Sequence, residues 1–366
     1  MKKILISVSA AMTLLASCAK VDPVAETGDE ISFEVAKYIR TRASGLKYEG
    51  IFGTYSWFNG TDEQMVNERV GLSGDAWKTL DNTYYWPKSG SIDFISYSPF
   101  EGKSNTAGTF PVVTKTASGY SFYYPEYTVA DTDLMYADLA TCSSNVDRIT
   151  DDADGSADSG YTGVPTLFRH ALAKVSFRIQ ANFTSYTYED QVTTWELTVT
   201  SAKLSGVYTK GDCTLTWGQG ATEWTKPEGN VWTNPSGQMD AVDLLGGKSM
   251  TLTDEPQDLT PLGNYVLPQK LTEGAQTLEL TVHIKTTLPN GNVVEEDYKT
   301  GAVDLVSISD ISAWEMNQNI VYVIKIKPTA TTGGPNTDDT PEDVTITYDP
   351  AVADWDLYTR DFTIQM

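Results

Sequence analysis

The sequence predicts an all-β protein, on three observations. Apolar residues recur with period two, long stripes of period 3.6 are missing, and turn residues punctuate the apolar runs throughout. At 366 residues the chain suits two β-sandwich domains in tandem, followed by a C-terminal strand segment. Twenty Tyr, 11 Phe and 9 Trp supply enough aromatic material for substantial cores.

The N-terminus reads as an address. Lys2 and Lys3 form a positive start, and Ile4 to Leu15 is an apolar stretch. That stretch is too short to span a bilayer comfortably as a helix. Leu15-Ala16-Ser17-Cys18 then forms a lipoprotein cleavage box, in which small residues suit a peptidase cutting ahead of the cysteine. Residues 1–17 are expected to be removed and Cys18 to receive lipid, palmitate included, which tethers an exported chain to the outer membrane.

Strand signals follow in order. Ile31, Phe33 and Val35 share one face of a first strand. One helix is expected over Asp131 to Ala140, with Asp131 as N-cap. The acidic, small-residue stretch 147–161 marks a boundary between a sandwich over 43–160 and another over 161–343. A calcium reading of residues 152–155 fails for want of the full loop and its terminal Glu. Val175, Phe177 and Ile179 alternate with polar residues, as do Trp195, Leu197 and Val199. The clearest strand holds Leu278, Leu280, Val282 and Ile284, and a turn at Pro289–Asn292 returns the chain through Val293 and Val294. Ile320 to Lys327 is a further strand. Residues 328–343 carry no large apolar side chain and read as a linker that could reach roughly 50 Å when extended. Beyond it Val344, Ile346 and Tyr348 alternate, then Phe362, Ile364 and Met366.

Composition excludes several functions. Lys and Arg number 26 against 49 Asp and Glu, a formal charge of -23, which rules against nucleic acid as a partner. Two His and three Cys leave almost nothing for zinc clusters or His-based catalysis. No nucleophile-elbow, zinc-protease or phosphate-loop motif is present. No catalytic residue, metal ligand or cofactor is therefore assigned, and an enzyme is not expected. His170 reads as structural and His283 as a surface residue. Cys142 and Cys213 read as two unpaired thiols. Trp57, Trp77, Trp86, Trp217, Trp224 and Trp232 raise a carbohydrate reading, against which core packing is the simpler account.

Pieces spread along the chain resemble the fimbrillin (FimA/Mfa-like) family, lipoprotein precursors of type V pilus subunits. They are Ile31-Ser-Phe-Glu-Val35, Thr41-Arg42-Ala43, Phe52-Gly-Thr-Tyr-Ser56, Tyr84-Tyr-Trp-Pro87 and Asp93-Phe-Ile-Ser-Tyr-Ser-Pro99. Further on come Asp133-Leu-Met-Tyr-Ala137, Phe168-Arg-His-Ala-Leu-Ala-Lys-Val175 and Tyr265-Val-Leu-Pro-Gln269. Trp314-Glu-Met-Asn-Gln-Asn-Ile-Val-Tyr322 and Ile346-Thr-Tyr-Asp-Pro350, with Trp355, complete the set.

The resemblance implies two transthyretin-like β-sandwiches and assembly by donor-strand exchange with other pilus subunits. It implies a trypsin-like protease that cuts after an N-terminal Arg and frees both the anchor and the first strand. Arg40 and Arg42 follow the first predicted strand, so residues 18–42 would form a propeptide carrying Cys18, Ile31, Phe33 and Val35. Burial of those three apolar side chains is worth about 5–9 kcal/mol gross. Segment 344–366 is the candidate donor, with Phe362, Ile364 and Met366 as its apolar face. Residues 344–355 could equally be the last strands of their own sandwich. The alternative function is a monomeric surface lipoprotein or pilus-tip adhesin that binds a glycan or host protein.

Overall fold

The structure is a computed structural model and describes residues 30–37, 50–74, 76–102, 111–143, 146–147, 162–182, 184–188, 190–218, 227, 229–259, 265–309, 311–327, 345–354 and 360–361. Five strands open the chain: Phe33–Lys37 (β1), Phe52–Phe58 (β2), Asp62–Ser73 (β3), Ala76–Thr79 (β4) and Ile92–Ser98 (β5). Then come Val112–Thr116 (β6), Gly119–Thr128 (β7), Met135–Ala137 (β8), Ala140–Cys142 (β9), Val146–Asp147 (β10) and Thr162–His170 (β11). All of these except β6 and β7 join one nine-stranded sheet. Its pairings return on themselves: the path β1-β4-β3-β2-β5-β8-β11 runs round a core, and β11 pairs with β1 again. Phe33, Phe52, Trp77, Phe94 and Phe168 fill that core.

The second half begins with Lys174–Ala181 (β12), Ser185–Tyr188 (β13), Gln191–Ser205 (β14), Tyr208–Gly218 (β15) and Gly229–Gln238 (β16). Short pieces follow at Val242–Asp243 (β17), Met250–Thr251 (β18), Gln257–Asp258 (β19) and Gln269–Lys270 (β20). Thr277–Thr287 (β21) and Val293–Asp304 (β22) form a hairpin, and the chain makes one helical turn at Leu305–Ile308 (α1). Ala313–Trp314 (β23), Gln318–Lys327 (β24), Thr345–Asp354 (β25) and Arg360–Asp361 (β26) end it. The sheets β19-β12-β24-β25-β26 and β13-β14-β21-β22 enclose a second core. The alternating residues expected of β12, β14 and β21 point into it: Phe177, Leu197, Leu280 and Val282 are buried. Gly291 turns the β21–β22 hairpin at φ 83°, a conformation open to glycine at no steric cost. His283 lies exposed on β21 and meets Asp297 at 2.8 Å.

Two sheets cross the expected boundary near residue 160: β11 lies beyond it yet belongs to the nine-stranded sheet, and a four-stranded sheet draws on both sides. The order of the latter is β16-β15-β7-β6, so strands from before and after that point pair directly, Thr128 with Lys210 through Gly119 with Gly218. A third core lies beneath it, formed by Tyr97, Phe122, Leu215 and Trp217 among others. The reason is burial. Tyr120, Phe122 and Tyr124 alternate along β7, and Cys213, Leu215 and Trp217 along β15, so each strand completes the apolar face of the other.

The helix expected over Asp131 to Ala140 is not formed; β8 and β9 lie there instead. Residues 134–140 are all buried, Asp138 included, whereas a surface helix buries one stripe. The four-residue α1 is the one helix among the described residues. Residues 148–161 and 328–344 lie outside the described residues, and with them both expected linkers and the 152–155 candidate.

Candidate assembly site at the first strand

β1 lies between two partners. It runs parallel to β11, Phe33 opposite Val164 through Lys37 opposite Phe168, and meets β4 where Phe33 faces Trp77. The chain just ahead of it is also held. The Ile31 amide donates to Tyr84 O at 2.8 Å, Val164 N donates to Ser32 O at 2.7 Å, and Glu30 pairs with Lys78. Ile31 and Phe33 are buried, and the Phe33 ring meets Phe52 and Phe94 edge to face at 5.6 and 5.7 Å. Burying these two side chains is worth about 3–6 kcal/mol gross. Gly163 makes the close approach of β1 and β11 feasible, since a Cβ there would stand 2.6 Å from Ser32 O and 2.7 Å from the Phe33 carbonyl carbon.

Of the sequence-selected site residues, Ile31 and Phe33 sit together in this core, and Val35 pairs with Thr166 in β1. Cys18, Arg40, Arg42, Phe362, Ile364 and Met366 lie outside the described residues. The tail just before the last three pairs within its own molecule: β25 lies antiparallel along β24, Gln318 opposite Asp354 through Lys327 opposite Thr345. β26 folds back on β25 through two residue pairs.

The pieces that carry the resemblance converge where the cores meet. Arg169 on β11 grips buried Asp138 with two bonds of 2.8 and 2.7 Å. Next to it, His170 Nδ1 lies 2.5 Å from Asp133. Ala171 N donates to Leu134 O, and Ala171 O accepts from Trp232 Nε1 at 3.0 Å. Leu172 O accepts from Asn317 N, and Ala173 exchanges backbone bonds with Val266. Gln269 pairs with Trp314, whose Nε1 donates to Tyr322 Oη. The run 168–175 is thus the passage from one core to the next, and small side chains at 171 and 173 fit where sheets close in. The Asp138–Arg169 pair was not anticipated from the sequence. Its signal was a lone charge inside each of two apolar runs.

The tryptophans weaken the carbohydrate reading that rested on them. Trp57, Trp77, Trp86 and Trp217 are buried, Trp232 is half-buried, and Trp224 lies outside the described residues. Cys142 and Cys213 are buried in different cores. Burial pushes the Cys213 thiol far above its ordinary range. Among the described residues no group of three or more His, Cys, Asp or Glu could hold a metal ion, and no helix is long and apolar enough to cross a membrane.

A family model described as fimbrillin-like matches residues 41–355. The chain belongs to the fimbrillin-like family. Three solved structures similar to this fimbrillin-like chain span nearly its whole length. A candidate cell adhesion protein from Bacteroides uniformis shares 16% identity over 89% of this chain and 98% of its own, with a TM-score of 0.43. The fimbrial anchor protein Mfa2 from Porphyromonas gingivalis shares 10% over 89% and 98%, with a TM-score of 0.29. A fimbrilin, FimA, from Porphyromonas gingivalis W83 shares 12% over 87% and 96%, with a TM-score of 0.35. No curated protein sequence matches the chain. The fimbrillin-like family is a non-enzymatic class of fimbrial and adhesive proteins, and membership carries a role of that kind.

Proposed function

We propose that the protein is a fimbrial subunit made as a lipoprotein precursor, matured by proteolysis and polymerised by donor-strand exchange. The observation that carries this reading is the position of β1. It is the strand through which the nine-stranded sheet closes on itself, so its loss opens two edges, those of β4 and β11, over an apolar core. Unpaired N–H and C=O groups along such edges form a template for an added strand.

In this reading lipidated Cys18 anchors the precursor in the outer membrane, and a trypsin-like protease cuts at Arg40 or Arg42. The family match begins at residue 41, beyond β1, in keeping with a mature part that starts there. The vacated groove takes the apolar positions of Phe362, Ile364 and Met366 from the next subunit. β25 stays on β24 and serves as the base from which residues 356–366 extend. Insertion of a tail into a neighbour's groove is a heterologous contact, which builds filaments when the rotation does not close.

Limited trypsin treatment of the full chain is expected to trim it at Arg40 or Arg42 and to yield ladders that resist detergent. Arg40→Ala/Arg42→Ala is expected to stay intact and monomeric. Deletion of 356–366 should leave a folded monomer that is trimmed yet does not polymerise. Clean trimming to solitary particles with a closed groove would sink the reading.

A further inference from the structure

The outer face of the sheet β16-β15-β7-β6 carries a row with one residue from each strand, apolar on three of the four. Val112, Tyr123, Thr214 and Val231 stand in register across it. Val112, Tyr123 and Val231 are 36%, 41% and 49% exposed, whereas Phe122 and Leu215 on the opposite face are buried. Scattered exposed apolar residues need no account, but a contiguous row marks an interaction surface.

Beside the row, three strands are irregular at one level. β15 shifts register against β7 between Gly211 and Cys213, and against β16 between Lys210 and Asp212. Glu126 and Asn234 hold left-handed backbone, φ 48° and 51°. The Asp212 carboxylate ties these points together. It accepts from Glu126 N at 2.7 Å, Asn234 Nδ2 at 2.8 Å and Tyr123 Oη at 3.4 Å. The Glu126 amide, with Asn234 and Tyr123, holds the Asp212 carboxyl below its ordinary range, so it is ionised at neutral pH. Bulges of this kind re-aim side chains, and backbone strain persists where the surroundings fix it. Here they hold a flat aromatic ring, a carboxylate and a side-chain amide next to one another on the surface.

We propose that this face binds a neutral pyranose glycan. A pyranose has an apolar C–H face and a rim of hydroxyls, and this surface offers a partner for each. The C–H face lies on the Tyr123 ring between Val112 and Thr214. Vicinal hydroxyls donate to Asp212 and pair with the Asn234 amide, which keeps one N–H and its carbonyl beyond the bond to Asp212. The Tyr123 ring and Asp212 lie on the inner strands β7 and β15, with Asn234 on the edge strand β16, so the stacking platform stands away from the open backbone edges that an extended peptide would need. A carboxylate inside the site and a formal charge of -23 repel sialylated and sulfated glycans.

The inference concerns the uncleaved monomer and stands apart from strand exchange. Full-length protein is applied to immobilised glycans ending in galactose, mannose, fucose or N-acetylglucosamine, and to sialylated versions. Saturable binding to a neutral glycan is expected. Tyr123→Ala should weaken it about tenfold or more through loss of the stacking platform. Tyr123→Phe should keep most of it. Asn234→Gly, which tolerates the left-handed backbone, should weaken it with the melting temperature nearly unchanged. The proposal is overturned if no neutral glycan binds, if Tyr123→Ala and Asn234→Gly bind as wild type, or if binding to a glycoprotein survives its deglycosylation. None of these results would alter the trimming and ladders that test the fimbrial reading.

Discussion

At the scale of single residues, Gly163 and Asp212 show opposite ways of fixing a strand. Gly163 works by having no side chain, since any Cβ meets the backbone of residues 32 and 33. Gly163→Ala is expected to destabilise the uncleaved protein by about 1–3 kcal/mol, read as a lower denaturant midpoint. The same substitution should cost little in trimmed protein that lacks β1. Asp212 works by charge. Its folded pKa is depressed, so its stabilisation is present above the ordinary aspartate value of about 3.9 and is lost as pH falls through the lower folded value. Asp212→Ala should therefore narrow its stability gap from wild type in strong acid. A gap that is constant from neutral pH into strong acid would refute the assignment.

At the scale of elements, β11 is the strand on which the N-terminal half depends. It pairs with β1 on one side and β8 on the other, and its last residues bind the segment 133–138. Asp138 and Arg169 are both deeply buried. Breaking such a pair from one side leaves an uncompensated charge. Arg169→Met is expected to cost about 3–5 kcal/mol, and Arg169→Met with Asp138→Leu to recover much of that loss. A double-mutant cycle by chemical denaturation checks this, and additivity of the two single changes would contradict it.

At the scale of the whole molecule, the core beneath the four-stranded sheet is built of tyrosine. Tyr55, Tyr97, Tyr120, Tyr124 and Tyr127 all belong to it. Burial pushes the phenols of Tyr55 and Tyr124 up to about 12, and those of Tyr97, Tyr120 and Tyr127 higher still. A raised phenol pKa keeps its stabilisation below the unfolded value of about 10 and loses it as pH rises through the folded one. Alkali is therefore expected to unfold the molecule cooperatively, with tyrosine ionisation and loss of near-ultraviolet circular dichroism in one transition. Independent ionisation near pH 10 with the tertiary signal intact would contradict this.

Much of the architecture was legible as alternation. The faces of β12, β14, β21 and β24 follow from period two, because a strand sends successive side chains to opposite sides whatever it packs against. The shortage of His and Cys and the family pieces were likewise local properties of the sequence. The run 131–140 was misread because its apolar residues lie on both faces, and periodicity alone does not separate a buried strand from a helix. The closure of a sheet through β1, the sheets shared across residue 160, the Asp138–Arg169 pair and the Tyr123–Asp212–Asn234 cluster belong to the tertiary structure alone. Each joins residues distant in sequence, and which strand edges meet is decided by how three cores pack rather than by any local pattern.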